Sequence, residues 1–199
     1  MPDLIFACEG SPYSAAISAE FRDTVAADGL SLGMETTPTT RAMAGVEWLM
    51  PTAIMLYVAK SYFDGFLGEA GKDHYAALKS GVKRVAARVG QVAVSRIGSP
   101  GKVVATPQRY SPVFSIWFQR DDQTRFKFLV PVGLSEDETE AAFERFFAFL
   151  DGWSAGRIAK ADRAPFEAAS AVGRTVLLAY DRSTGRIEVI DPLPRGSGQ

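Results

Sequence analysis

Val113-Phe114-Ser115-Ile116-Trp117-Phe118-Gln119, then the polar Asp121-Asp122-Gln123-Thr124, then Arg125-Phe126-Lys127-Phe128-Leu129-Val130-Pro131-Val132, is the stretch from which the fold is read. Phe114, Ile116 and Phe118 alternate with Ser115 and Trp117. Phe126 and Phe128 alternate with Arg125 and Lys127. Successive strand side chains point to opposite faces, so each run has one apolar face and one mixed face. The polar residues between them suit a hairpin loop. Such a pair predicts an antiparallel sheet covered on one side.

Toward the C-terminus, Ser135 followed by Glu138 is a capping box, and Glu136, Asp137 and Glu138 suit the positive end of a helix. Ala142, Phe143, Phe146, Phe147 and Leu150 give that helix one apolar face, and Gly152 ends it. Residues 155–173 read as loop with a short helix. Residues 175–180 and 186–190 predict a second hairpin through Asp181-Arg182-Ser183-Thr184-Gly185.

Toward the N-terminus, residues 92–97 and 102–106 read as short strands around a Gly-Ser-Pro-Gly turn. Tyr75, Leu78, Val82, Val85 and Val89 recur at helical spacing before Gly90. Residues 61–71 extend the helical pattern, with Gly68 and Gly71 marking a break. Residues 48–59, from Trp48 to Ala59, carry no charge. They fall short of the roughly 20 apolar residues of a membrane span, so a central core helix started or kinked by Pro51 is expected. Membrane insertion of this run is the lesser reading. At the start, Leu4 to Cys8 is a short buried strand, and Ser11-Pro12 is a helix start with Ser as cap and Pro in the first turn. Ile17, Phe21 and Val25 form the buried face, Gly29 stops the helix, and residues 30–36 are a second strand. A strand, helix and strand of this size imply a parallel crossover.

These readings predict an α+β protein of mixed α/β type. An N-terminal β-α-β unit and a helical layer pack on a largely antiparallel sheet built from two C-terminal hairpins. Residues 1–191 are expected to form one domain and residues 192–199 a disordered tail. A formal net charge of -1 gives no general attraction to nucleic acid, so no nucleic-acid partner is expected. The single cysteine, Cys8, rules out an intrachain disulfide. The first residues lack the basic and apolar regions of a signal peptide, so a cytoplasmic protein is the default.

Motifs for common chemistries are missing. The chain has no Gly-x-Ser-x-Gly elbow, no zinc-ligand cluster, no dinucleotide fingerprint and no P-loop. No cofactor and no metal are expected. The catalytic candidates are Glu9, Glu35 and His74. Glu9-Gly10-Ser11-Pro12 leaves a strand and enters a helix N-terminus, where free amides favour anions. Glu35 is expected near the end of the neighbouring parallel strand, the place where open α/β sheets bind ligands. The competing account makes Ser11 a cap and both glutamates solvated strand ends. His74, beside Asp73 and Tyr75, has the chemistry of a proton carrier. Adjacent helical residues point different ways, which favours a structural helix start instead.

Two further features concern surfaces. Residues 72–88 hold five basic residues and one acidic, and residues 136–151 hold six acidic and one basic. They are either two solvated faces or complementary partners, within the molecule or across an interface. Trp117 and Trp153 are either core or interface anchors. The leading functional expectation is a non-enzymatic binding or interaction protein. It would engage a protein partner, or form a homo-oligomer, through the sheet or the charged helices. The alternatives are a small enzyme using acidic residues near the ends of the first two strands, and a membrane-active effector.

Overall fold

The structure is a computed structural model, and it describes residues 2–38, 52–90, 109–121 and 123–191. β1 (Leu4–Glu9) is followed by helix α1 (Pro12–Val25) and strand β2 (Leu32–Thr37). Next come β3 (Ile54–Val58), a π-helical turn (Tyr62–Phe66) and α2 (Leu67–Gly90). β4 (Tyr110–Gln119) and β5 (Arg125–Pro131) precede α3 (Glu136–Ser154) and α4 (Lys160–Ala168). The last two strands are β6 (Thr175–Asp181) and β7 (Arg186–Ile190).

The seven strands among the described residues join one sheet in the order β2-β1-β3-β4-β5-β6-β7. The two C-terminal hairpins form as the alternation predicts, with β4 antiparallel to β5 and β6 antiparallel to β7. The sheet as a whole is mixed rather than largely antiparallel, because β1 with β2, β3 with β4, and β5 with β6 are parallel pairs. The physical reason is connection length. Parallel neighbours need a crossover, and α1, α2 and the α3–α4 pair each lie between two parallel strands.

Residues that face one another across the sheet identify the side the described helices pack on, although β4, β5 and β6 are buried on both faces and not, as the alternation predicts, on one. Phe6 is in register with Leu56, Leu56 with Ile116, and Ile116 with Phe128. Phe21 of α1 stacks on Phe6 at 4.5 Å, and Phe146 of α3 stacks on Phe128 at 4.1 Å. Both helices therefore lie on the same face. The strands β1→β2 and β5→β6 run the same way but step in opposite directions across the sheet. Their crossovers are consequently of opposite hand, and one of them departs from the usual right-handed rule.

Local chemistry accounts for the element ends. Ser11 caps α1 by accepting the Ser14 amide at 3.1 Å, with Pro12 in the first turn. Gly29, at φ +83°, makes the turn out of α1. Ser135 and Glu138 form the full capping box of α3. Arg120 donates to the carbonyls of Glu167 (2.6 Å) and Ala169 (3.2 Å), satisfying the C-terminal end of α4.

Several expectations are corrected. The described part of the uncharged run is not a helix: residues 54–58 are β3, in the middle of the sheet between β1 and β4. Its Ile54, Leu56 and Val58 are fully buried on the helix side. A continuous apolar run has no period to separate strand from helix, and burial in the sheet decides it. Gly68 and Gly71 do not break the helix, since α2 continues from Leu67 to Gly90. Asp73 is accordingly past the first turn of α2. Residues 48–51 and the strands expected at 92–97 and 102–106 lie outside the described residues, as does the tail at 192–199.

Candidate functional site

The first two strands end side by side, as the β-α-β reading requires, with Cys8 in register with Thr36 and Glu9 with Thr37. The chain then turns into α1. Between the strand ends and the first turns of α1 lies a pocket of about 200 Å³, lined by Cys8, Glu9, Ser11, Ser18, Arg22 and Thr36 among others. Pockets for drug-sized ligands hold roughly 300–1,000 Å³, so this one suits a small ligand. Glu9 and Ser11 both line it. Glu35 does not reach it: Glu35 is in register with Ala7 and points away from the helices. The period of two along β2 puts Thr36 on the pocket side instead. Cys8, the only cysteine, is 5% exposed. Burial pushes its thiol pKa up, and the weaker effect of the Ser18 hydrogen bond opposes this. At neutral pH it is a thiol and not an activated nucleophile.

His74 is far from that pocket. It is buried in α2, with Nδ1 3.0 Å from the Tyr62 hydroxyl and Nε2 2.7 Å from the Val25 carbonyl. A carbonyl only accepts, so Nε2 carries the proton and Tyr62 donates to Nδ1. Phe66 meets the imidazole edge-on at 4.6 Å. Both ring nitrogens are thus satisfied by groups that join α2, the π-helical turn and the end of α1. Sequence spacing gave no hint of this arrangement, because Val25 is distant along the chain.

The oppositely charged helices meet each other. Lys79 of α2 pairs with Glu144 of α3 at 2.5 Å, and Lys83 pairs with Glu140 at 2.7 Å. Lys79 holds the Glu144 carboxyl below the usual carboxylate range. Arg88 turns the other way, to Glu20 of α1 at 2.9 Å. Of the complementary readings of these helices, the described ion pairs fit the one within the molecule.

The sheet face opposite the helices is the remaining feature. Ile5, Met55 and Tyr57 are half-buried there, and Arg125 is exposed. The Arg125 guanidinium lies 4.7 Å from the centre of the Trp117 ring, and the Lys127 ammonium lies 5.3 Å from it. Trp117 is 2% exposed and donates its indole N–H to Ser115 at 2.8 Å. Ser115 also bonds Thr52 at 2.6 Å, and Thr52 donates to the Ile54 carbonyl. This network pins the start of β3 to β4. Lys127 is 1% exposed, and burial lowers its pKa to about 8. Sequence reasoning placed Lys127 on the mixed face of its strand without foreseeing its burial. Trp153 lies on the other side, in the core, packed edge-on against Phe126 at 4.9 Å. Neither tryptophan is an exposed anchor.

Among the described residues, no three His, Cys, Asp or Glu side chains converge to hold a metal ion. No helix among them is long and apolar enough to cross a membrane. Compared with models of known protein families, with curated proteins and with solved structures, the chain has no significant match.

Proposed function

We propose that this chain is a non-enzymatic binding protein that engages a protein partner through the face of its sheet opposite the helices. The observation that carries this reading is that the described helices pack on one side of the sheet. The apolar faces of α1 and α3 are turned into the core, and charges of α2 and α3 neutralise each other. On the opposite face Trp117, Lys127, Leu129 and Leu177 are buried, and the accessible part lies around the half-buried Ile5, Met55 and Tyr57 and the exposed Arg125. An aromatic ring and an arginine are the residue types that anchor protein interfaces. The test is photo-crosslinking in native cells. A photoreactive residue at Met55 or Tyr57 is compared with one at Ala87, which is exposed on α2. A discrete adduct from the sheet positions alone supports the reading. Adducts of equal yield from Ala87, or none from any position, refute it.

A second reading is favoured by the pocket at the strand ends: a small enzyme in which Glu9 acts as base on a small substrate. Glu35, which points to the other face, has no place in that chemistry as a direct participant. Turnover by the purified protein that is lost in Glu9→Gln and kept in Glu35→Gln supports it. The membrane-active reading draws no support from residues 54–58, which pair with strands on both sides. Liposome flotation decides it, and the expected result is no binding.

A further inference from the structure

We draw no further inference here: the strongest candidate, the pocket at the carboxyl ends of β1 and β2, rests on the N-terminus of α1 and the lone Cys8 thiol, and no second observation among the described residues points to a ligand there.

Discussion

At Gly81 the backbone of α2 lies close against Val25 and Phe21 of α1, and replacing it with alanine tests the packing that holds the helical layer together. A Cβ at Gly81 would lie 2.8 Å from Cγ2 of Val25 and 3.3 Å from Cδ2 and Cε2 of Phe21. Val25 and Phe21 are 0% and 1% exposed, so neither has open space to move into. Adding a methyl group to a packed core costs typically 1–3 kcal/mol. Alanine in a helix interior recovers about 1 kcal/mol relative to glycine. Gly81→Ala is therefore expected to lower stability by about 1 kcal/mol, a drop in Tm of roughly 2–4 °C for a chain this long. The decisive measurement is a double-mutant cycle by urea denaturation. Val25→Ala removes the atom in closest contact and by itself costs about 2 kcal/mol through the cavity it leaves. In that background Gly81→Ala should become neutral or stabilising, because the helix-propensity gain is no longer offset by the clash. Contacting residues couple by about 0.5–3 kcal/mol in such cycles. The same loss in both backgrounds, or a stabilised single variant, would refute the steric argument.

Three other perturbations follow from the same geometry. His74→Phe strands the buried Val25 carbonyl and Tyr62 hydroxyl, at about 1–3 kcal/mol for each unsatisfied group; Tyr62→Phe, which removes one bond and its donor together, should cost less in the same denaturation series, and the reverse order would show that the imidazole is not the joint. Lys79→Glu should be only mildly destabilising, because exposed pairs contribute about 0.2–1 kcal/mol, and adding Glu144→Lys should restore it at low salt but not in 1 M salt. Since the Glu144 carboxyl is held low in the folded state, its contribution is present above the ordinary glutamate range and is lost as pH falls through the lowered value. Lys127 has the opposite behaviour: its folded pKa of about 8 lies below the unfolded value, so the folded state binds fewer protons between the two. Wild-type stability relative to Lys127→Met should rise from pH 8 to about pH 10, and a flat difference would mean that the ammonium remains charged in the fold.

The positions of the site candidates show how far local pattern reaches. Glu9 and Ser11 were legible as a strand end and a helix cap, and both line the pocket. Glu35 was legible as a residue of β2 but not as one facing away from that pocket, because its face is set by the pairing register with β1 and a one-residue slip in that register would reverse it. His74 carried the right chemistry for a proton carrier, yet its partners sit on α1 and on the π-helical turn. Lys127 attracted no functional reading, since its burial depends on the sheet around it.

By itself the sequence determined the elements whose causes lie within a few residues. The Ser11 cap, the Ser135–Glu138 box, the amphipathic α3 and the alternation of β4 and β5 are all local, and the structure has them where the pattern puts them. Tertiary structure decided the rest. Residues 54–58 are a strand because β1 and β4 pair with both of their edges and the core buries Ile54, Leu56 and Val58. The two hairpins are joined by a parallel pair because the α3–α4 crossover returns the chain beside β5. Backbone hydrogen bonds and packed side chains between segments far apart in the chain make these choices, and no periodicity within a single segment records them.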